Sequence, residues 1–385
     1  MKSNLTVRWN PCRRAPGCAV IAAIGLTGLA CASAPGAAPR TPPEPGAVAA
    51  AVAGAPTAGA AVTAAVAAPA GVVGAQAEAK AGTAEQKLDA KAAEEQRRLQ
   101  EDRAKAAADH QAQLARFTPE LRAQARELAE KRYGSGHAAI AAALASPHRA
   151  PGNADRDTYR HPLQTLDFFG LRPSWSVLEY EPGGGWYTEL LAPALARSGK
   201  LYVTSGDPGG PESERSTLYA QRLKLYLESV PELFGKVQTL VVAPAPATPT
   251  LPPSVEAKLD LVLVIRELHN IVNSGQLTAW LAAFHQALKP HGVLGIVEHR
   301  AQVGVDPLVS SKKGYLPEAW VIAQIEAAGF RLSAKSEVNA NPKDTKDYPE
   351  GVWTLPPTYR LGAKDHDKYA AIGESDRMTL RFVKK

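Results

Sequence analysis

The chain has 385 residues, a formal net charge of +6 and an aromatic content of 6%. The basic excess does not indicate a nucleic-acid partner, because no run of Lys and Arg is interleaved with aromatic residues. The three cysteines, Cys12, Cys18 and Cys31, all lie near the N-terminus. Their position excludes disulfides, thiolate catalysis and a cysteine-based zinc site from the rest of the chain.

Residues 1–31 have the features of a secretory signal. They contain no Asp or Glu, and a basic start is followed by an apolar run at 19–29 and then by small residues. The run is too short to span a membrane. Gly28-Leu29-Ala30-Cys31 resembles a bacterial lipobox, in which Cys31 would be lipidated, whereas Ala30-Cys31-Ala32 could serve ordinary signal peptidase. We expect export to the periplasm or cell envelope, with a lipid on Cys31 as the chain's contact with a membrane.

Two segments separate this signal from the folded part of the chain. Residues 32–83 are mostly Ala, Pro, Gly, Val and Thr, so they cannot bury enough apolar surface to offset the entropy of ordering, and we expect a disordered linker. Residues 85–116 lack Pro and Gly and are rich in Ala and charged residues, which predicts a charged helix. Thr118-Pro119-Glu120 predicts the start of a second helix. We interpret 84–136 as a solvated helical spacer.

Helix and strand patterns alternate from His137 to the end of the chain. The predicted helices span 162–169, 187–197, 218–227, 277–288 and 317–328. The predicted strands span 175–178, 200–204, 237–242, 259–265, 293–297, 330–336 and 378–383. Such alternation predicts an α/β domain over 137–385, with a mostly parallel seven-stranded sheet, helices on both faces and the last two strands paired at one edge.

A glycine-rich turn follows the first predicted strand. The strand reaches Glu179, and Pro182, Gly183, Gly184 and Gly185 follow before the next helix. Glycines let a ligand approach the backbone closely, and a strand–turn–helix unit presents backbone N–H groups to it. The turn has neither the lysine of a P-loop nor the spacing of a dinucleotide-binding fingerprint. A tight structural turn in another α/β fold is the alternative interpretation.

This turn resembles motif I of class I S-adenosylmethionine methyltransferases, loosely Glu/Asp-x-x-x-Gly-x-Gly. Residues 140–385 as a whole resemble a bacterial family of predicted class I methyltransferases whose members often carry export signals. The matching segments lie at 156–162, 179–187, 266–270, 298–300 and 375–377. The resemblance implies a Rossmann-like fold, S-adenosylmethionine as the cofactor and a small-molecule acceptor.

On the cofactor side, the resemblance implies contacts from Glu179, from Gly183, Gly184 and Gly185, and from Tyr187. Capping of the loop amides is the alternative role of Glu179. The second strand of such enzymes ends in an acid that binds the ribose hydroxyls. Here the strand ends in Thr204 and Ser205, and the nearest acid is Asp207. Many relatives also carry Asp after the third strand, where this chain has Ala and Pro.

On the acceptor side, four polar residues come directly after the fourth strand: Arg266, Glu267, His269 and Asn270. His269 is a candidate general base because an imidazole titrates near the working pH, and Asn270 is a candidate for orienting the acceptor beside Glu267. A structural, hydrogen-bonded histidine is the alternative.

Two further histidines belong to the same prediction. His161 precedes the helix that leads into the first strand, and we expect it to fold over the same pocket; His299 follows the fifth strand. The three histidines His161, His269 and His299 do not have the spacing of a metal site, so we expect no metal.

Two functions of different classes are compatible with these residues. The glycine turn and the Glu-x-His-Asn group favour a methyltransferase. The missing ribose acid and the predicted export favour a non-catalytic protein of the same fold that binds a small molecule or a partner in the cell envelope. A serine hydrolase is disfavoured because Gly-x-Ser-x-Gly does not occur.

Overall fold

The computed structural model describes residues 72–243 and 247–385, with side chains described from residue 89 onward. The predicted signal, with Cys31, and most of the predicted linker lie outside the described residues.

Within the described ranges, one sheet contains the strands β1 (Ser176–Tyr180), β2 (Lys200–Ser205), β3 (Gln238–Val241), β4 (Leu259–Ile265), β5 (Leu288–His299), β6 (Phe330–Ser336) and β7 (Arg377–Lys384). Their order is β3-β2-β1-β4-β5-β7-β6. Strands β1 to β5 are parallel to their neighbours, and β7 is antiparallel to both β5 and β6. The predicted class I methyltransferase fold is confirmed, and β6 is the edge strand because β7 lies between β5 and β6.

The helices lie before the sheet and between its strands. They are α1 (Val72–Arg116), α2 (Pro119–Glu130), α3 (Gly136–Leu144), α4 (Asp157–Arg160), α5 (Pro162–Phe169), α6 (Thr188–Leu195), α7 (Arg215–Ser229), α8 (Pro231–Phe234), α9 (Leu268–Asn273), α10 (Leu277–Ala287), α11 (Pro307–Ser310), α12 (Glu318–Ala327) and α13 (His366–Ile372). Among them, none combines the length and the apolar character needed to cross a membrane.

The sheet is covered on both faces. Successive side chains of a strand point to opposite faces, so β4 contributes to two cores. Val262 packs in one core with Trp280 of α10. Leu263 packs in the other with Leu190 of α6. The apolar run of β4 predicted this double coverage.

Strand β5 begins five residues earlier than predicted. Leu288 pairs with Leu259, and the next pair is Val293 with Leu261, so four residues of β5 lie opposite a single residue of β4. His291, within this irregularity, has a φ of 62°. Residues 289–292, a Lys-Pro-His-Gly segment that directly follows the predicted helix 277–288, are therefore accommodated as an irregularity of the strand.

The helices predicted as a spacer pack against the domain. Leu99 of α1 is 1% exposed, and Arg215 of α7 forms ion pairs with Glu95 at 2.7 Å and with Asp102 at 2.9 Å. Phe117, between α1 and α2, is buried in the same core as α6. Charged residues of α1 thus form ion pairs with the domain as well as facing water. The prediction of a solvated spacer did not include these contacts. The domain boundary at residue 137 stays a prediction for truncation experiments.

Candidate functional site

Four polar residues singled out from the sequence lie at one edge of the sheet: Glu267, His269, Asn270 and His299. Parallel strands β1, β4 and β5 end there at Tyr180, Ile265 and His299. Because β7 runs the other way, its first residue, Arg377, pairs with His299 at the same edge. In open α/β sheets this carboxyl edge is where ligands bind.

An open cavity of about 550 Å³ lies at this edge beyond β1, β2 and β4. That volume is typical of a small-molecule site. Its lining includes four of the predicted site residues: Gly183, Gly184, Glu267 and Asn270.

The three glycines of the turn have different roles. Gly183 and Gly185 adopt φ values of 58° and 80°, whereas Gly184 is outside the left-handed region. A Cβ added to Gly183 or Gly184 would meet nothing within 4 Å, so both border open space in the cavity. A Cβ on Gly185 would lie 2.3 Å from Cε1 of Tyr226. Gly185 is therefore required by packing, and it is not among the residues that line the cavity.

Glu179 and Tyr187 lie behind the turn. Glu179 is 4% exposed, and Oγ1 of Thr188 donates a hydrogen bond to its carboxyl group at 2.7 Å. Burial raises the pKa of Glu179 to about 7. Neither Glu179 nor the buried Tyr187 lines the cavity. The Glu179 carboxyl thus holds Thr188 at the start of α6, and the cofactor contact and the capping of loop amides both stay predictions for this residue.

Glu181 lines the cavity and was not singled out from the sequence. Its φ is 44°, and its backbone N–H donates to Oγ1 of Thr204, at the end of β2, at 2.8 Å. A non-glycine residue held in this region often marks a functional site. Burial, followed by the neighbouring charge of Glu267, raises the pKa of Glu181 to about 7. The signal in the sequence was an acid placed between the first strand and Pro182.

Asp207 lies in the loop after β2, outside the lining of the cavity. Its Oδ1 accepts a hydrogen bond from the backbone N–H of Gly209 at 2.8 Å, so the carboxylate caps its own loop. At the end of β2 the cavity is lined by Thr204 and Ser205 instead. The proposed ribose contact of Asp207 stays a prediction.

Glu267 and Asn270 both line the cavity, in the segment that follows β4. Nδ2 of Asn270 donates to Oε2 of Glu267 at 2.7 Å. Burial raises the pKa of Glu267, although the hydrogen bond from Asn270 opposes the shift. Glu181 and Glu267 thus place two carboxyl groups in one cavity.

His269 is fixed by Glu298, the residue before the end of β5. The His269 backbone N–H donates to Oε2 of Glu298 at 3.1 Å, and Nδ1 lies 3.0 Å from Oε1. A carboxylate only accepts hydrogen bonds, so Nδ1 carries a proton, and in the neutral ring Nε2 offers a lone pair. Burial disfavours the charged imidazole, but the Glu298 carboxylate outweighs burial, and the pKa of His269 is raised. An imidazole held in this way is suited to accept a proton.

His299 packs beside His269, with 5.5 Å between the ring centroids. Its Nδ1 forms a hydrogen bond with Oγ of Ser375. Burial, followed by the charge of His269 and the nearby arginines, lowers the pKa of His299 well below the usual value.

The side chains of His269, Glu298 and His299 are close enough to share a metal ion, with ligand atoms within 4.8 Å of one another. The two oxygens of Glu298 already accept hydrogen bonds from His269 and from the backbone N–H of His299. A metal ion would therefore have to replace the proton shared between His269 and Glu298. His161 is not part of this group; it lies between α4 and α5 with a φ of 40°.

Three arginines, which were not predicted as site residues, surround Glu374 at the same edge. Nε of Arg160 lies 2.9 Å from its carboxylate, Nη1 of Arg377 lies 3.0 Å away, and Nη1 of Arg266 lies 3.8 Å away. The sequence signal was weak because Arg160 and Glu374 are 214 positions apart.

Comparisons with protein-family models and with curated proteins gave no match. Several solved structures are similar. A SAM-dependent methyltransferase from Aquifex aeolicus is 17% identical, with 60% of this chain and 93% of that chain covered and a TM-score of 0.39. The [4+2]-cyclase SpnF is 16% identical, with 59% and 80% covered and a TM-score of 0.39. An S-adenosylmethionine dependent methyltransferase from Mesorhizobium loti is 12% identical, with 58% and 97% covered and a TM-score of 0.36.

These similarities are distant, and one fold hosts many chemistries.

Proposed function

We propose that the protein is an S-adenosylmethionine-dependent methyltransferase that acts on a small-molecule acceptor. The observation that carries the proposal is the open space beside Gly183 and Gly184, at the carboxyl edge of a sheet with this strand order. The glycine backbone can approach a ligand there without a side chain in between.

The residues of the cavity fit the cofactor. When bound, the cofactor supplies an activated methyl group on a positively charged sulfur. Glu181 and Glu267 bring negative charge to the cavity when they are ionised, which complements a cationic ligand. Glu181 also contacts the end of β2 through Thr204. We propose Glu181 as a further candidate for the ribose contact, beside the Asp207 that the sequence suggested.

His269 is assigned the role of general base. Its Nδ1 proton is held by Glu298, so Nε2 can accept a proton from an O–H or N–H acceptor. The carboxylate of Glu298 stabilises the imidazolium that forms. Glu267 and Asn270, which are joined by a hydrogen bond, orient the acceptor at the wall of the cavity. His161 is retained as a candidate on the acceptor side of the site.

The proposal is tested by the effect of ligands on thermal stability. A ligand that binds the native state alone raises the melting temperature. We expect S-adenosylmethionine and its demethylated product to raise it, and ATP and NAD at the same concentration to leave it unchanged. No rise with either cofactor form at millimolar concentration would contradict the proposal and favour the non-catalytic alternative.

We also propose that the chain is exported and held to the cell envelope by a lipid on Cys31. The acid-free basic start, the short apolar run and the lipobox-like Gly28-Leu29-Ala30-Cys31 support this proposal. Replacing Cys31 with Ser should release the protein from the membrane fraction. Cys18→Ser is the matched control and should leave it there. Soluble periplasmic protein from the unaltered gene would indicate ordinary cleavage, and an uncleaved cytoplasmic product would contradict export.

A further inference from the structure

The arginine cluster around Glu374, formed by Arg160, Arg266 and Arg377, carries two positive charges in excess of its single carboxylate. Arg160 is 2% exposed and Arg377 is 3% exposed. Buried charges are costly unless they are paired and hydrogen-bonded. Two buried positive charges without a carboxylate are therefore unfavourable unless a further anion pairs with them.

Neighbouring carboxylates do not compensate for the excess. Asp376 forms its ion pairs with Lys346 and Arg300. Glu298 is engaged by His269 and by backbone N–H groups. Among the described residues, Glu374 is therefore the carboxylate that serves the cluster directly.

The cluster also contains buried hydrogen-bond donors without a partner among the described residues. Nη2 of Arg160 and Nε of Arg266 are buried and have no hydrogen-bond partner among the described residues, and Nδ1 of the adjacent His161 is in the same condition. Arg377, by contrast, also donates to the carbonyl oxygens of Tyr159 and Ser375. Buried donors are nearly always satisfied in native proteins, so the two unpaired guanidinium donors point to a missing acceptor.

Solvent reaches the cluster through Arg266. Its side chain is 28% exposed, and it follows β4 directly, three residues before His269. Arg266 has a φ of 61°, a conformation that costs free energy for a residue with a Cβ. The guanidinium of Arg160 is held from the other side by the ring of Trp186, whose centroid is 4.7 Å away. The cluster is therefore held by contacts on several sides, and solvent reaches it at Arg266, close in the chain to the proposed base.

We propose that Arg160, Arg266 and Arg377 form a binding site for an oxyanion group, a carboxylate or a phosphate, of a ligand that lies beside His269. Guanidinium groups match the planar geometry of such anions and make charge-assisted hydrogen bonds with them. The oxyanion belongs either to the methyl acceptor or to the amino-acid end of the cofactor, which carries a carboxylate. This pair of sources rests on the proposed function.

The electrostatic state of Arg160 agrees with this assignment. Burial, followed by repulsion from Arg266, lowers the pKa of Arg160 to about 9. A bound anion would counter both effects.

The test is calorimetric titration of the full-length protein with inorganic phosphate and with acetate, at constant ionic strength set by chloride. Arg266→Gln is the test variant, because Gln keeps much of the side chain and can adopt the same backbone. Arg331→Gln, on the exposed side of β6, is the matched control. We expect at least one anion to bind the unaltered protein and the control, and Arg266→Gln to bind it roughly tenfold more weakly or worse. Equal affinity in the two variants, or no binding to the unaltered protein at tens of millimolar anion, would overturn the proposal.

Further titrations distinguish the two sources. If the cofactor supplies the anion, Arg266→Gln should weaken binding of S-adenosylhomocysteine but not of 5′-methylthioadenosine, which lacks the carboxylate. If the acceptor supplies the anion, S-adenosylhomocysteine should bind the unaltered protein and Arg266→Gln equally. Phosphate or acetate should then still bind the unaltered protein when S-adenosylhomocysteine is present. Should S-adenosylhomocysteine fail to bind at all, the methyltransferase proposal fails, and the anion titrations still decide the present one.

Discussion

Nδ1 of His269 lies 3.0 Å from Oε1 of Glu298, and the other oxygen of that carboxylate accepts the backbone N–H of His269 at 3.1 Å. One buried side chain near the end of β5 thus fixes both the ring and the backbone of His269, which lies in α9 after β4. The same carboxylate also accepts the N–H of His299 at 2.7 Å. The orientation of the proposed base is therefore set by the sheet itself.

Replacing Glu298 with Gln should lower the pKa of His269, because the carboxylate is what raises it against the effect of burial. The measurement is an NMR titration of the His269 ring signals. A histidine whose folded pKa is raised stabilises the fold fully below its unfolded pKa of about 6.5, and this contribution is lost as the pH rises through the folded pKa. The variant should therefore lose more stability at low pH than at high pH. An unchanged His269 pKa would contradict the assigned role of Glu298.

Replacing His269 with Ala should reduce turnover by roughly a hundredfold or more while cofactor affinity stays nearly unchanged, as expected for the loss of general-base catalysis. The measurement is the rate of methyl transfer to an identified acceptor, alongside cofactor titration. His366→Ala, at an exposed position of α13, is the control and should keep full activity. If His269→Ala lowers the melting temperature sharply and activity falls only with the amount of folded protein, His269 is a structural residue.

Replacing Gly185 with Ala should destabilise the fold through two effects. Gly185 has a φ of 80°, and its added Cβ would lie 2.3 Å from the ring of Tyr226. Gly275 isolates the first effect, because its φ is 71° and its Cβ would meet nothing within 4 Å. We expect Gly275→Ala to cost about 1–2 kcal/mol and Gly185→Ala to cost a further ~1–3 kcal/mol. Urea unfolding measures both, and equal losses would show that Tyr226 adapts freely.

Replacing Glu179 with Gln should stabilise the protein as the pH rises. The folded pKa of Glu179 is about 7 against an ordinary 4.5. The unfolded chain therefore releases this proton first, and stability is lost as the pH rises from the unfolded to the folded value. Gln does not ionise and can still accept the bond from Thr188. We expect a gain on the order of 1–3 kcal/mol at pH 8 relative to pH 5.

The measurement is urea unfolding at the two pH values. Glu130→Gln, at an exposed position of α2, is the control and should show no such gain. A gain for Glu179→Gln that is the same at both pH values would contradict the assignment.

The sequence predicted β4 because its run of apolar residues is typical of a buried strand, and β6 because its apolar and polar residues alternate, as in a strand with one exposed face. The bounds of β4 and β6 agree with the predicted 259–265 and 330–336. The start of β5 was missed because a Pro-His-Gly segment also ends helices, and the distinction depends on the bulge opposite β4. The packing of α1 was missed because its contacts, such as Arg215 with Glu95, join distant parts of the chain.

The site was predictable where topology decides it. Gly184, Glu267 and Asn270 line one cavity because each follows a strand that ends at the same edge. The Glu298 partner of His269 and the arginines around Glu374 were not predicted as site residues. Their roles depend on side-chain geometry between elements, which no local period in the sequence encodes.

The most direct test of the account is calorimetric titration of the full-length protein and of Gly184→Val with S-adenosylhomocysteine. A Cβ at Gly184 would meet no protein atom within 4 Å, and Gly184 lines the cavity where we place the ligand. We predict that the unaltered protein binds, and that the variant keeps its melting temperature but binds roughly a hundredfold more weakly or not at all. Absence of binding to the unaltered protein, or equal binding to both proteins, would contradict the account.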